Sequence, residues 1–162
     1  MRLLFLLILS ALNMDAQTPE VMLLGKHAFE DLRSDTTGNY KWFYTGLSVG
    51  DTGATQATRE IAKVKTDFKI IVVGGTWCSD TQNLLPGFYL TMDYANIDIN
   101  KIVELYFTNR DKKVPEDIIT KYNITNVPTF IVVDSKGNEV GRITESVKVS
   151  IADDLLEILR KL

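Results

Sequence analysis

The residue best suited to chemistry in this chain of 162 residues is Cys78, which is the only cysteine of the sequence. It lies in the stretch 77–81, Trp-Cys-Ser-Asp-Thr, directly after the apolar run 69–75. The apolar run predicts a buried strand, whereas residues 79–94 have the spacing of a helix. A cysteine at such a junction lies where unpaired backbone N–H groups and the helix dipole favour a thiolate. The pattern therefore indicates a site for sulfur chemistry.

The composition is that of one ordinary globular domain, with 45% hydrophobic and 24% charged residues. A formal net charge of -3 lacks the basic excess that nucleic-acid binding requires, so this partner class is not expected. At the N-terminus, Arg2 precedes an uncharged apolar run, residues 3–12, and a small residue, Ala16, follows. This order predicts a signal peptide over residues 1–16. The run is too short to span a bilayer, which needs about 20 residues. We therefore expect an exported, periplasmic protein without a stable membrane anchor.

Export makes the single cysteine unusual, because exported proteins commonly pair their cysteines in disulfides. An unpaired cysteine outside the cytosol is a reactive thiol, the partner of another chain, or an inert buried residue. A dimer linked through Cys78 is thus one of the open possibilities.

The elements that would position Cys78 follow from hydrophobic spacing. The apolar residues Val21, Leu24, Ala28 and Leu32 predict a helix over residues 20–32. The aromatic cluster 40–44 indicates a packing patch rather than a ligand platform. Further along the chain, helices are predicted at 55–65, 79–94, 115–122 and 150–162, and strands at 68–74, 101–108, 129–134 and 139–144.

This alternation predicts an α/β fold, with a central mixed sheet flanked by helices. We expect residues 17–65 to form an N-terminal helical extension and residues 66–162 to form the main domain.

Four features of residues 66–162 resemble the thioredoxin superfamily: Trp77-Cys78, Pro86 eight residues later, the segment Val127-Pro128-Thr129-Phe130, and the hairpin at 136–141. Residues 74–81 also resemble a group of exported thioredoxin-like proteins that carry Gly-Gly-Thr-Trp-Cys-x-Asp-Thr or Ser. The resemblance implies a thioredoxin-like fold in which a cis-proline, Pro128, faces the reactive sulfur. It also implies that the backbone of Val127 pairs with an extended peptide, while Trp77 shields the sulfur. No metal or organic cofactor is implied.

Two positions depart from the family pattern. The usual Cys-x-x-Cys motif ends here in Thr81, so the resolving thiol is missing, and Val72 stands where thioredoxins often keep a buried acid. Thr81 would lie one helical turn beyond Cys78, where its hydroxyl could hydrogen-bond the thiolate and favour it, whereas the negative charge of Asp80 would oppose it.

Three hypotheses remain open at this point. In the first, Cys78 is the nucleophile of monothiol thiol–disulfide exchange of the isomerase or reductase type, and Thr81 tunes the sulfur. The substrate is an oxidised protein or a small-thiol disulfide, and an external thiol resolves the product. In the second, the Cys-x-x-Thr spacing resembles the peroxidatic site of glutathione peroxidases. In the third, the protein is a peptide-binding module without redox activity.

Overall fold

The computed structural model describes residues 21–50, 52–65 and 67–162. The predicted signal peptide, residues 1–16, lies outside the described residues. Within them, the chain forms the following elements in order: β1 (Gly25–His27), α1 (Phe29–Arg33), α2 (Lys41–Gly50), α3 (Gln56–Ile61), β2 (Phe68–Gly74), α4 (Ser79–Tyr94), α5 (Ile99–Ile102), β3 (Val103–Phe107), α6 (Ile118–Lys121), β4 (Thr129–Asp134), β5 (Glu139–Thr144) and α7 (Ile151–Leu159).

The described strands form one sheet in the order β1-β3-β2-β4-β5. Strands β2 and β3 are parallel, and α4 and α5 make the connection between them, whereas the other neighbouring pairs are antiparallel. Val72 lies at the centre of the sheet, where it pairs with Leu105 of β3 and Phe130 of β4. The prediction of a mixed sheet flanked by helices is confirmed.

The two faces of the sheet carry cores of different size. The larger core takes side chains from α1, α2, α3, α4 and α7, and its fully buried aromatic residues include Phe43, Phe88 and Phe130. The smaller core lies under α6 and is built around Ile71, Val73 and Ile131, with Trp77 and Cys78 packed at its margin. Cys78 therefore lies beside the thinly covered face of the sheet.

The predicted helix over residues 20–32 is wrong in its first part. Gly25–His27 instead form β1, which pairs antiparallel with β3 through the partners Lys26 and Tyr106. Val21 and Leu24, which the helical pattern placed on a buried face, are 50% and 47% exposed. Their spacing fits a helix by coincidence, and pairing with a strand distant in sequence decides the structure.

Four other elements also differ from the sequence-based expectation, and one of them is the helix predicted at 150–162, which ends at Leu159. The strand predicted at 101–108 begins only at Val103, because Asp98 caps the short helix α5 before it. The helices predicted at 55–65 and 115–122 are shorter, as α3 and α6 show.

The N-terminal segment and the main domain share one core. The aromatic cluster 40–44 is a packing patch, as predicted: it lies at the start of α2, where Phe43 is fully buried and its ring meets the Tyr89 ring edge-on. Phe29 of α1 likewise stacks on Phe88. The predicted division at residue 65 stays a prediction, but the described residues on its two sides pack together.

Candidate functional site

Cys78 is the N-cap residue of α4, four positions after the last residue of β2. Its backbone is extended, and its N–H donates to the carbonyl of Gly75 over 2.9 Å. The carbonyl of Cys78 accepts from the N–H of Gln82 over 3.0 Å, which is the first hydrogen bond of the helix. The thiol is free and partly exposed. The backbone thus holds the sulfur at the start of α4, as the sequence predicts.

Two adjacent glycines allow this turn to close. A Cβ on Gly74 would lie 2.8 Å from Cγ2 of Thr81, and a Cβ on Gly75 would lie 2.6 Å from Cε2 of Trp77. Both separations are too short for any real side chain to fit without movement. Residues 74–82 are called the cysteine turn below, and the side chains of Trp77 and Thr81 fill the space beside its two glycines. Gly74 and Gly75 therefore belong to the site, although they are not among the site residues predicted from the sequence.

The indole of Trp77 connects the cysteine turn to the neighbouring strand. Its Nε1 donates to the carbonyl of Thr108 over 2.7 Å, just after the end of β3. The guanidinium of Arg110 lies 4.9 Å from the centre of the ring, within cation–π range. Trp77 thus lies next to Cys78 and is fixed against the loop that follows β3, at the carboxyl end of the parallel strands.

Thr81 has a different contact from the one expected. It is fully buried, and its Oγ1 accepts a hydrogen bond from the backbone N–H of Gly75 over 3.1 Å. Among the described residues, no hydrogen bond joins Thr81 to the sulfur of Cys78. The observed role of Thr81 is therefore to satisfy a buried donor of the cysteine turn, and a direct catalytic role stays a prediction.

Gln82 adds a second internal contact that sequence reasoning missed. Its Nε2 donates to the carbonyl of Thr76 over 2.7 Å, while the Thr76 hydroxyl accepts from the N–H of Leu23 over 3.4 Å. The cysteine turn is thereby attached both to its own helix and to the segment before β1. The position of Gln82, one helical turn after Cys78, is the only sequence signal for this contact.

The sulfur faces the segment before β4. The peptide bond between Val127 and Pro128 is cis, and Sγ of Cys78 donates to the carbonyl of Val127 over 3.3 Å. Val127 and Pro128 are both buried. The structure therefore brings together Cys78, Trp77, Val127 and Pro128, all of which were predicted from the sequence.

The carbonyl and the N–H of Val127 differ in their hydrogen bonding. Its carbonyl is occupied by the thiol of Cys78. Within the described part of the chain, its N–H has no hydrogen-bond acceptor.

Pro86 lies inside α4, as predicted, and it is buried. Its ring packs directly against α2, where a Cβ on Gly46 would overlap the ring. A proline in a helix removes one backbone hydrogen bond. Here it also gives α2 a flat apolar surface, which Gly46 allows to approach closely.

Tyr106 of the smaller core is not a second reactive group. Burial, reinforced by a hydrogen bond to the carboxylate of Glu104 over 2.9 Å, raises the pKa of its phenol above the ordinary value. The hydroxyl consequently stays protonated at neutral pH.

Comparison with known proteins agrees with this geometry. A family model described as thioredoxin matches residues 28–152, which is more than half of the chain. The protein belongs to the thioredoxin family. The match begins upstream of the 66–162 region on which the sequence resemblance rests, so α1, α2 and α3 fall within it.

Two solved structures with TM-scores above 0.5 show the same fold at low identity. An HIV epitope-scaffold is 14% identical, with a TM-score of 0.60 over 85% of this chain and 94% of that chain. A protein of unknown function from Pseudomonas aeruginosa is 15% identical, with a TM-score of 0.59 over 85% of this chain and 91% of that chain. A thioredoxin from Fasciola hepatica is 22% identical, with a TM-score of 0.41 over 62% and 86% of the two chains. None of the curated proteins matches the chain.

Within the described residues, none of the helices has the length and apolar character that a membrane span requires.

Proposed function

We propose that this thioredoxin-like protein performs monothiol thiol–disulfide exchange through Cys78. The observation that carries the proposal is the 3.3 Å contact between Sγ of Cys78 and the carbonyl of Val127 at the start of a helix. This contact places a partly exposed thiol beside a backbone segment with an unpaired N–H.

The reaction has two balanced steps. The thiolate of Cys78 attacks one sulfur of a substrate disulfide, so that a mixed disulfide forms and the other sulfur leaves as a thiolate. An external thiolate then attacks the mixed disulfide and returns Cys78 to its thiolate form, while a new disulfide joins the external thiol to the substrate. The second step needs an outside thiol, because the sequence contains one cysteine.

The protein's own groups support the first step in three ways. Cys78 lies at the N-terminus of α4, where the first backbone N–H groups of a helix have no intrahelical partners. Trp77 is held by Thr108 and covers one side of the cysteine turn. Val127 offers backbone groups to an extended substrate, which is the strand-addition mode of peptide binding.

The substrate class and location belong to the same proposal. An oxidised protein or a small-thiol disulfide fits a partly exposed sulfur next to a free backbone donor. The signal peptide expected over residues 1–16 supports a periplasmic location for the reaction, in a compartment where disulfides form and persist.

The proposal is tested with the purified chain and a defined peptide disulfide. Without an external thiol, we expect mass spectrometry to show an adduct of one peptide on Cys78 and the reaction to stop after one turnover. Addition of glutathione should release the peptide and restore turnover. Cys78→Ala is the matched control and should form no adduct.

Two other outcomes would reject the exchange proposal. A chain that binds the reduced peptide but forms no adduct at any peptide concentration would be a binding module. A chain that consumes hydrogen peroxide with glutathione, yet forms no peptide adduct, would be a thiol peroxidase.

A further inference from the structure

The segment that faces Cys78, residues 126–129, is called the proline loop below. Two of its residues, Asn126 and Pro128, are both bonded to one residue outside the loop, Glu145. The carboxylate of Glu145 accepts from Nδ2 of Asn126 over 2.7 Å, and the N–H of Glu145 donates to the carbonyl of Pro128 over 2.8 Å. These two bonds enclose Val127, whose carbonyl receives the thiol of Cys78.

The backbone of Glu145 is itself unusual. Its φ is +59°, in the region that L-residues with side chains rarely adopt. The N–H of Ser146 donates to the carbonyl of Thr144 over 2.6 Å, so Glu145 is the central residue of a γ-turn. A γ-turn with positive φ is rare and strained, and such conformations persist where surrounding bonds enforce them. Glycine would adopt this conformation without strain.

The strain is not explained by core packing, because the side chain of Glu145 is exposed. The conformation instead orients two groups of Glu145. It turns the backbone N–H of Glu145 to Pro128 while the side chain of Glu145 reaches Asn126. A residue without a long acceptor side chain could make the first bond but not the second.

We infer that Glu145 is a positioning residue that holds the proline loop in register with Cys78. This inference rests on the proposed exchange reaction for its functional consequence. In the exchange reaction Glu145 touches neither the sulfur nor the substrate disulfide; it keeps Val127 where its backbone can pair with the substrate.

Two substitutions of Glu145 separate the role of its carboxylate from the role of its backbone. Glu145→Gly keeps the N–H that bonds Pro128, removes the bond to Asn126 and relieves the positive φ. Glu145→Gln keeps an acceptor for Asn126. We expect Glu145→Gly to be at least as stable as the wild type, yet to form the mixed disulfide with a peptide about tenfold or more slowly. Glu145→Gln should restore the rate to within about twofold of the wild type.

Alkylation of Cys78 by iodoacetamide is the internal reference, because this small reagent needs no backbone pairing with Val127. We expect alkylation of Glu145→Gly at a fixed pH to stay within about twofold of the wild type while the peptide reaction slows. Equal slowing of both reactions would indicate a purely structural effect and overturn the inference, as would a peptide rate equal to that of the wild type.

The positioning role is also measurable if the exchange reaction itself fails. In the wild type and Glu145→Gln, nuclear Overhauser contacts between the side chains of Cys78 and Val127 should be present, and in Glu145→Gly they should be weakened or lost. Unchanged contacts in Glu145→Gly would overturn the inference independently of any reaction. Should Glu145→Gly not fold, Asn126→Ala removes the other end of the same bond and carries the same expectations.

Discussion

On one side of the Cys78 sulfur, the cysteine turn is held mainly by bonds between residues close in sequence. Thr81 accepts from Gly75, and Gln82 donates to Thr76, each across six positions. On the other side, the proline loop is held by Glu145, whose bond to Asn126 spans 19 positions. The first side thus combines these local bonds with the distant bonds from Trp77 to Thr108 and from Leu23 to Thr76, whereas the second depends on where β5 ends.

The two sides also differ in how far their hydrogen bonds are buried. The bond from Gly75 to Thr81 is buried and the bond from Gln82 to Thr76 is partly buried, so their loss should lower the free energy of unfolding. The bond from Asn126 to Glu145 is exposed, so its loss should change the alignment of the proline loop more than the stability of the fold. The following predictions test this contrast in order of decreasing effect on stability.

Gly75→Ala should cause the largest loss, because its Cβ would lie 2.6 Å from the indole of Trp77. Forcing an extra methyl into a close-packed turn typically costs about 1–3 kcal/mol. Urea unfolding measures the loss, and tryptophan fluorescence should report movement of the indole away from Thr108.

Gly87→Ala in α4 is the matched control for this change. Its Cβ would meet Cγ2 of Ile151 at 3.5 Å, an ordinary contact. Alanine in place of glycine inside a helix should therefore stabilise the protein by about 0.5–1 kcal/mol. Equal stability changes in the two glycine variants would contradict the interlocked cysteine turn.

Thr81→Val should leave the buried N–H of Gly75 without an acceptor, at a cost of about 1–3 kcal/mol. Thr81→Ser keeps the hydroxyl and should lose less. The variants are compared by urea unfolding and by the rate of Cys78 alkylation. If Thr81→Val slows alkylation without lowering stability, Thr81 acts on the sulfur directly and the structural role assigned to it is wrong.

Thr129→Val tests the proline loop from the side of β4. The buried hydroxyl of Thr129 donates to the carbonyl of Asn126 over 2.7 Å and closes the loop. Loss of this one bond should cost about 0.5–1.5 kcal/mol in urea unfolding, while the peptide reaction slows more than alkylation does. A variant that loses stability but keeps the wild-type ratio of the two rates would speak against control of the reaction by the loop.

The smallest effect is expected at Asp134, in the hairpin between β4 and β5 and away from the sulfur. The side chain of Asn138, followed by its backbone N–H, holds the pKa of the Asp134 carboxyl below its ordinary value. A lowered folded-state pKa stabilises the fold above the unfolded-state value, about 3.9, and this contribution is lost as the pH falls through the folded-state value.

The melting temperature of the wild type should therefore fall towards that of Asp134→Asn as the pH drops below about 4. Peptide exchange at neutral pH should not differ between the two proteins. A difference in melting temperature that persists unchanged at the lowest pH would show that the carboxylate is not the cause.

The contrast between the two sides also explains which features could be predicted from the sequence. The bounds of β2, α4, β4 and β5 follow from local spacing, and the structure agrees with each of them. The placement of Cys78 between the first two follows from the same local pattern. Local signals of this kind are sufficient where neighbouring residues make the contacts.

The missed features depend on distant partners. Strand β1 is three residues long, and only its pairing with β3 makes it a strand. Nothing in the sequence predicts the positive φ of Glu145, because glycine and asparagine are the residues favoured in that conformation and glutamate is not. The hydroxyl of Thr81 could not be assigned either, since its acceptor role depends on how closely Gly75 approaches.

The most direct test of the account is a crystal structure of the mixed disulfide between Cys78 and a peptide. We predict that the peptide runs beside the proline loop as an added strand and pairs its backbone with both the N–H and the carbonyl of Val127. A peptide that leaves the sulfur in another direction, with both backbone groups of Val127 unpaired, would contradict the account.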